Sequence, residues 1–443
     1  MNQFFVGKQA IQRLVEADRV HRDLYVDPAL FALEQQQLFR NVWQFLGHES
    51  QAPQPGDCFT QDIAGQPLLA VRQPDGQGIR VFMNRCPHKG AKLVSDDCAN
   101  LGRVIRCPYH AWSFKPDGTM LGLPLSAEYG HLDFEAFKAG HGLTEVRNVV
   151  VYRGFVFVRL AERGVSFEDC FGEMLAALDK MADRSPAGRL SVAGGRLRTI
   201  VDCNWKIYLE NINDTVHVVT THESVGRAVS KGRQTEVRDE DAPPMSIEQL
   251  APFAAPYDFY DGMRQRALPG GHSMLGGEVS IHSGYGAVPE YEQALRAAHG
   301  EQRAAEVLAY APQNVVFYPS LSIKTSPQAI RVIRPLAVDR TLIEAWSFRA
   351  EGAPELLLER TLTYNRLAFS PMSVVAHDDV HIFRSIQQGL AAEGNPWISL
   401  HRGFDPNELE QSPIDAGGRS ELLMRNQYRA WLHLMTMNME DQP

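Results

Sequence analysis

The sequence predicts an α+β protein in which an all-β domain is inserted into a larger domain with an antiparallel sheet flanked by helices. Helical patterning up to residue 47 gives way, over about residues 54–160, to short apolar runs separated by Gly, Pro, Asp and Asn. Helical patterns then return, and strand-like runs follow them. We therefore expect residues 1–37 and 161–443 to form the larger domain and residues 38–160 to form the inserted one.

Composition narrows the function classes. The chain has 443 residues, of which 44% are hydrophobic and 22% charged, with a net charge of -9. These values are ordinary for a globular protein, and no basic stripe with interleaved aromatics points to nucleic acid. No apolar run approaches the roughly 18 residues of a membrane span, and the first residues do not resemble a signal peptide. We expect a cytoplasmic protein with neither nucleic-acid nor membrane partners.

The N-terminal half begins with a predicted helix in DPALFALEQQQLFRNVWQFLG. Asp27 can cap it, Pro28 suits its first turn, and Gly47 is expected to end it. In the β region, four runs predict strands: PLLAVRQ, IRVFMN, RVIRC and VVVYRGFVFVRL. A further helix is predicted in SFEDCFGEMLAALDKMAD, with Ser166 as its candidate cap.

The C-terminal half contains a poorly patterned segment at about residues 222–285, which predicts a mobile cover over a site or a long surface connection. A polar helix is expected at 290–310. Three successive strands of a second sheet are predicted in VVFYPSLSIKT, AIRVIRPLAV and TLIEAWSFR. The last helices are expected at 355–369, 379–392 and 420–437.

Two cysteines and two histidines in the β region form a metal-ligand pattern. Cys86 and His88 are followed, after eighteen residues, by Cys107 and His110. Zinc accepts such ligands, but zinc fingers usually pair Cys with Cys in one loop and His with His in the other. A Rieske-type [2Fe–2S] cluster has two thiolates on one iron and two imidazoles on the other. The interleaved order favours the [2Fe–2S] cluster.

A second dense group of polar residues lies in NWKIYLENINDTVHVVTTH, residues 204–222. On a helix, Asp214 and His217 share a face, so the carboxylate can accept a hydrogen bond from the imidazole. His222 is rotated by about 140° from His217, so both reach one metal only if the helix ends or bulges between them. Taken alone, the stretch suits a metal site and a buried polar helix equally well.

CPHKG and CPYHAW resemble the Rieske motif of the α subunits of bacterial ring-hydroxylating oxygenases, and the order of elements is similar over most of the chain. Lys89 and Ala111 stand where Arg and Gly are usual in that family, but neither is a ligand. The pattern N-W-K, E-N, D-x-x-H-x-x-x-x-H in residues 204–222 resembles the mononuclear iron motif of the same family. The resemblance implies a larger domain of the helix-grip type.

The resemblance also implies which residues bind and serve a mononuclear Fe(II). His217 and His222 are the implied imidazole ligands, completed by a carboxylate into a facial triad with open positions for oxygen. The family's carboxylate lies at the start of a late helix, and DDVHIFRSIQQG places it at Asp379, with Asp378 as the alternative or the helix cap. Asp214 is implied as the bridge to a cluster histidine of a neighbouring subunit.

The implied function is that of a terminal oxygenase large subunit, which uses O2 and electrons from a separate reductase to hydroxylate an aromatic ring. The product is a cis-diol or a monohydroxylated ring, and the substrate an aromatic carboxylate such as benzoate or salicylate. No GxGxxG motif occupies a strand-to-helix turn, so we expect NAD(P)H electrons to arrive through a flavin reductase, with or without a ferredoxin. Electron transfer between chains implies a homotrimeric ring, α3 or, with a small β subunit, α3β3.

Four residues are expected to line the substrate pocket, between the central helix and the second sheet: Asn213, Val218, Phe317 and Ser322. Lys324 or an arginine could bind a substrate carboxylate, although the pattern around Lys324 favours a solvated strand lysine. Three other functions stay open at this point. They are an O- or N-demethylating Rieske monooxygenase, an iron–sulfur electron carrier without oxygenase chemistry, and a zinc-binding interaction module.

Overall fold

The computed structural model describes residues 7–76, 78–235, 244–277, 279–410, 413–437 and 439. Contacts divide the chain into two compact units. The smaller unit is Phe39–Phe167, and the larger unit combines Met1–Leu38 with Glu168–Pro443. The domain boundaries predicted from the sequence follow residues 37 and 160. In the structure, the boundaries between the two units follow residues 38 and 167.

The described α-helices, in chain order, are α1 (Lys8–Gln12), α2 (Asp23–Val26), α3 (Pro28–Glu34), α4 (Phe134–Gly140), α5 (Phe167–Phe171), α6 (Leu175–Asp183), α7 (Trp205–Ile212), α8 (Val216–Thr221), α9 (Glu223–Thr235), α10 (Met245–Leu250), α11 (Tyr257–Gly262), α12 (Pro289–His299), α13 (Glu301–Ala309), α14 (Glu355–Phe369), α15 (Val374–Leu390) and α16 (Leu422–Thr436). None of these helices is long and apolar enough to cross a membrane.

The described strands are β1 (Arg19–His21), β2 (Gln44–His48), β3 (Asp57–Ile63), β4 (Gln66–Arg72), β5 (Ile79–Met83), β6 (Cys98–Asn100), β7 (Ile105–Arg106), β8 (Ser113–Phe114), β9 (Met120–Gly122), β10 (Asn148–Tyr152), β11 (Phe155–Arg159), β12 (Leu190–Val201), β13 (Arg264–Ala267), β14 (Ser273–Leu275), β15 (Asn314–Phe317), β16 (Leu321–Lys324), β17 (Ala329–Ala337), β18 (Arg340–Ala350), β19 (Trp397–Ser399) and β20 (Ile414–Gly417). Helices together with antiparallel sheets confirm the α+β class.

The smaller unit is built from three antiparallel sheets, in the orders β5-β4-β3-β6, β10-β11-β2 and β7-β8-β9. One of its apolar clusters contains both Cys86 and Cys107, packed with Trp112, Phe114 and other buried residues. The two thiols are thus held in a nonpolar core, where water is scarce.

The start of the first long predicted helix is confirmed, and its end is wrong. The Asp27 carboxylate accepts hydrogen bonds from the N–H groups of Ala29 and Leu30, and Pro28 opens α3. The helix does not reach Gly47, because residues 35–39 form a π turn and β2 follows. All five β2 residues are buried, and four of them pair with β11, so this segment serves a sheet and not a helix.

The larger unit contains an eight-stranded antiparallel sheet in the order β12-β18-β17-β16-β15-β14-β13-β20. Four of these strands, β12, β13, β14 and β20, have no counterpart among the predicted ones. VVFYPSLSIKT is also not one strand but two, β15 and β16, which pair with each other on either side of Pro319. A proline lacks the N–H that a ladder requires, so the chain turns there.

Two glycines break helices that the sequence pattern predicts as continuous. Gly172 has φ +47 between α5 and α6, and Gly300 has φ +80 between α12 and α13. The segment 222–285 is more regular than its pattern indicates, because α9, α10, α11, β13 and β14 lie within it. Residues 236–243 and 278 of that segment lie outside the described residues.

Candidate metal centres

The two cysteine loops of the smaller unit fold alike. The Cys86 N–H donates to the carbonyl of Ala91 (2.8 Å), and the Cys86 carbonyl accepts from the N–H of Gly90 (3.0 Å). In the second loop the Cys107 N–H donates to the carbonyl of Trp112 (2.8 Å), and its carbonyl accepts from Ala111 (3.1 Å). Each loop therefore holds one cysteine and one histidine in the same local geometry.

The side chains of these loops fit a [2Fe–2S] cluster. Cys86 and Cys107 are 1% and 3% exposed, and the rings of His88 and His110 lie 4.7 Å apart. The His88 ring stacks on Trp112, and its Nδ1 is buried without a hydrogen-bond partner among the described residues. A buried nitrogen of this kind is costly unless it binds something. Two thiols and two imidazoles, one nitrogen of which lacks a partner, are the donors that a Rieske cluster needs.

The second centre depends on a break in the helix. α7 ends at Ile212, α8 ends at Thr221, and His222 follows with non-helical φ −103° and ψ 25°. This is the ending that the 217-to-222 spacing requires, because a regular helix would turn the two imidazoles apart. The rings of His217 and His222 are 5.7 Å apart.

Asp379, on α15, completes the group. Its Oδ1 lies 3.3 Å from Nε2 of His222 and 3.9 Å from Nε2 of His217, and one ligand atom of each residue lies within 4.8 Å of the others. The Asn211 amide nitrogen is 3.2 Å from the same Oδ1 and 3.0 Å from Nε2 of His217. Two imidazoles and one carboxylate that converge in this way fit a facial triad for Fe(II).

Each imidazole of the triad also has a carboxylate on its other ring nitrogen. Asp214 Oδ2 lies 2.9 Å from Nδ1 of His217, and Asp378 Oδ2 lies 3.4 Å from Nδ1 of His222. Asp378 is not the helix cap, because α15 already begins at Val374 and is capped by Ser373, whose Oγ accepts from the Ala376 N–H. Such carboxylates fix the tautomer that leaves Nε2 free for a metal.

Comparisons with known proteins identify two domain families in the chain. The Rieske [2Fe–2S] domain family matches residues 42–138, and the catalytic domain of the ring-hydroxylating α subunits matches residues 179–437. The chain belongs to the ring-hydroxylating oxygenase α subunits. Its cofactors are therefore a Rieske [2Fe–2S] cluster and a mononuclear iron, and it is an oxidoreductase that uses O2.

Among similar proteins, the anthranilate 1,2-dioxygenase large subunit of Acinetobacter baylyi is 30% identical over 94% of this chain and 89% of its own. The toluate 1,2-dioxygenase α subunit of Pseudomonas putida is 29% identical over 94% and 91%. The structure of naphthalene 1,2-dioxygenase from Rhodococcus sp. shares the fold, with a TM-score of 0.77 at 23% identity, covering 97% of this chain and 98% of that one. Both dioxygenase relatives are named as a large or α subunit, in agreement with the α-subunit family that matches this chain.

In this α subunit, sequence reasoning missed Arg402. Asp214 is 8% exposed, and its second oxygen, Oδ1, lies 2.5 Å from Nη2 of Arg402, whose side chain is 38% exposed. Burial raises the pKa of Asp214, but hydrogen bonds and charge from His217 and the charge of Arg402 outweigh burial and leave it below its usual value. No local pattern marks Arg402, because 188 residues separate it from Asp214.

A cavity opens beside the triad, and its walls include His217, Val218, His222, Lys324, Arg331 and Asp379. Its volume is about 60 Å³, less than the roughly 150 Å³ that holds a benzene molecule, so ring entry requires side chains to move. Val218, one of the four residues expected to line the substrate pocket, lies in the wall of this cavity. Lys324 is 4% exposed, so its interpretation as a solvated strand lysine is wrong.

Asn213, Phe317 and Ser322 are not among the residues that line this cavity. Phe317 is three residues after Asn314, a wall residue, and strand residues an odd number apart face opposite sides. Ser322 is buried and donates to Asn314 Oδ1 (3.4 Å). The Asn213 amide bonds to Ser273 and Gln427 instead.

Ala111→Gly is expected to stabilise the smaller unit. Ala111 has φ +56, and Gly90 at the equivalent loop position has φ +78. A left-handed residue with a Cβ costs about 1–2 kcal/mol, and the extra freedom of an unfolded glycine offsets about 0.5–1 kcal/mol. Thermal melting should show a gain of up to about 1 kcal/mol. Gly90→Ala, the matched control, should lower the melting temperature, and a destabilised Ala111→Gly would contradict the argument.

Glu210→Gln is expected to change the pH dependence of stability. Burial raises the pKa of Glu210 from 4.5 to about 7, although the Tyr428 and Tyr25 hydroxyls donate to it and lower it. For a carboxyl with a raised pKa, its contribution to stability is complete below pH 4.5 and is lost as the pH rises through 7. The variant should therefore gain about 3 kcal/mol over wild type at pH 8 and little at pH 5. Melting curves at both values test this, and a pH-independent difference would refute it.

Proposed function

We propose that this α subunit hydroxylates the ring of an aromatic carboxylate, with cis-dihydroxylation as the reaction. The observation that carries the proposal is that His217, His222 and Asp379 converge on a cavity whose walls also hold two buried cations, Lys324 and Arg331. The anthranilate and toluate dioxygenase subunits, both similar to this chain along most of its length, are named for aromatic acids.

The proposed ligands follow from the donor sets. Cys86 and Cys107 would hold one iron of the cluster, and His88 and His110 would hold the other. The mononuclear iron would be held by His217, His222 and Asp379. When bound, the cluster supplies single electrons and the mononuclear iron a site for O2.

The surrounding residues prepare these ligands. Asp214 and Asp378 accept hydrogen bonds from Nδ1 of the two histidines, which turns both Nε2 atoms towards the centre. The Asn211 amide donates a hydrogen bond to Asp379 Oδ1 and thereby orients that carboxylate. The apolar part of the cavity wall, which would keep water away from the substrate's aromatic ring, includes Val218, Ile281 and Phe369.

The proposed partners supply the electrons. A flavin reductase that oxidises NAD(P)H, with or without a ferredoxin, would supply the cluster with electrons, and Asp214 would serve as the bridge from a cluster histidine of a neighbouring chain in a homotrimeric ring. A small β subunit completes an assembly of three α and three β subunits. The cytoplasm is the proposed compartment, and the four cysteines other than Cys86 and Cys107, none of which forms a disulfide, are consistent with a reducing one.

The test is turnover of a panel of aromatic acids by the purified, iron-loaded protein with NADH and a surrogate flavin reductase. Benzoate and toluate should gain two oxygen and two hydrogen atoms, with both oxygens derived from labelled O2, and salicylate and anthranilate should be consumed with uptake of O2. The corresponding neutral amides should react far more slowly. Oxidation of the amides without oxidation of any acid would overturn the proposal, and gain of a single oxygen would replace dihydroxylation by monohydroxylation.

A further inference from the structure

Two buried cations of the cavity wall lack an acidic partner. Lys324 is 4% exposed and Arg331 is 6% exposed. Among the residues that the structure describes, no carboxylate lies within 4.0 Å of the charged nitrogens of either side chain. Acidic residues are not scarce, because the chain has 53 of them against 44 Lys and Arg. A buried charge without a counter-charge is strongly disfavoured, so this pair needs an explanation.

Other buried cations of the larger unit show the usual solution. Carboxylate oxygens lie within 3.3 Å of the charged groups in three pairs: Lys206 with Glu34, Arg334 with Glu344, and Arg425 with Glu408. Arg184, which lacks such a pair, donates to three backbone carbonyls instead. Within the described part of the chain, Lys324 and Arg331 have neither a paired carboxylate nor a full set of backbone carbonyl acceptors.

The sheet places Lys324 and Arg331 side by side. Arg331 on β17 pairs with Ser322 on β16, and Lys324 is two residues beyond Ser322 on the same strand. Residues two apart share a face, so both long side chains project from one side of the sheet as diagonal neighbours. That side also carries Asn314, another wall residue.

The partners that these cations do have are neutral. Arg331 Nη2 donates to Asn314 Oδ1 (2.7 Å), and its Nε has no partner among the described residues. Lys324 Nζ donates to the carbonyl of Gln313 (2.8 Å) and lies 3.3 Å from Nε2 of His282. Each cation therefore keeps hydrogen-bonding capacity for an anion.

The two cations also repel each other. Burial and the charge of Arg331 lower the pKa of Lys324 well below its usual value. Burial and the charges of Lys324 and Arg331 likewise hold the pKa of His282 well below its usual value. An anion between the cations would relieve this repulsion and favour the charged lysine.

We propose that Lys324 and Arg331 together bind the carboxylate of the aromatic substrate and thereby select an aromatic acid over a neutral arene of the same shape. This inference rests on the proposed function of the cavity as the substrate site. The Arg331 guanidinium can bind a carboxylate through two parallel hydrogen bonds, and Lys324 adds a compact positive charge. Both lie on the sheet, a rigid element, so the bound acid would present its ring to the triad in one orientation.

The test compares Lys324→Met, Arg331→Met and the double variant with wild type, using iron-loaded protein. The probes are benzoate, anthranilate and toluate, each beside its neutral primary amide. Truncating one side of a buried charge pair should weaken binding of the acids at least about 30-fold by calorimetry. Affinity for the amides should change by less than about threefold, and the iron content should stay the same. Lys324→Arg, which keeps the charge, should retain most of the affinity.

Stability separates recognition from a structural role. Methionine removes an unpaired buried charge, so Lys324→Met without substrate should melt at a temperature equal to or above that of wild type. A lower melting temperature with an unchanged preference for acids would overturn the inference. If wild type oxidises the acids and the double variant keeps that preference, this inference fails while the proposed function stands. If wild type oxidises none of the acids, the proposed function itself fails.

Discussion

Asp379→Ala is expected to remove the mononuclear iron, so that the iron content falls from about three atoms per chain to about two. Asp379 Oδ1 is the oxygen that faces Nε2 of both His217 and His222. Without it the two imidazoles cannot form a facial triad, and hydroxylation should stop. The red-brown colour of the cluster should persist, because its proposed ligands all lie in the two cysteine loops of the smaller unit. Iron analysis, the visible spectrum and turnover measure the three quantities.

Asp378→Asn is the matched control for that experiment. Asp378 is the next residue on the same helix, but its carboxylate faces Nδ1 of His222. An asparagine oxygen can still accept a hydrogen bond there, so this variant should keep about three irons, with iron affinity weakened by about 10-fold to 100-fold. If Asp378→Asn lost the third iron and Asp379→Ala kept it, the two aspartates would have to exchange roles.

Much of the metal chemistry could be predicted because its residues are close in sequence. Cys86 and His88, or His217 and His222, lie in short segments where spacing alone limits the geometry. Asp379 came from a family resemblance, since 157 positions separate it from His222. The place of Asp378 behind His222 could not be foreseen, because it depends on where α15 begins, and the cap is Ser373.

The substrate cavity was harder to predict because it depends on sheet register. Phe317 and Ser322 face opposite sides of the sheet, because Ser322 pairs with Val316, the neighbour of Phe317. The turn at Pro319 and the pairing of Val316 with Ser322 decide which side chains share a wall. Burial of Lys324 also results from this packing, and a charged residue in a short strand gives no local sign of it. The contact of Arg402 with Asp214 likewise exists only in the folded chain.

Asp214→Asn is expected to lower hydroxylation by about 100-fold or more while leaving the cluster intact. The Asp214 carboxylate accepts hydrogen bonds from both the backbone N–H and the ring of His217, and its other oxygen contacts the exposed side chain of Arg402. Asparagine keeps an acceptor for His217 but removes the negative charge that raises the basicity of the imidazole. The substitution also weakens the proposed electron bridge to a neighbouring chain.

The rate of cluster reoxidation distinguishes these two effects. If Asp214 only positions His217, the Asn variant should lose iron affinity, and iron-saturated protein should recover its rate. If Asp214 carries electrons, the reduced cluster should stay reduced in the presence of substrate and O2 even when the iron content is about three per chain. Arg402→Gln is the control, because it leaves the Asp214–His217 bond in place and should retain the iron. Undiminished product formation by Asp214→Asn would exclude both roles, since each of them requires the charge that the substitution removes.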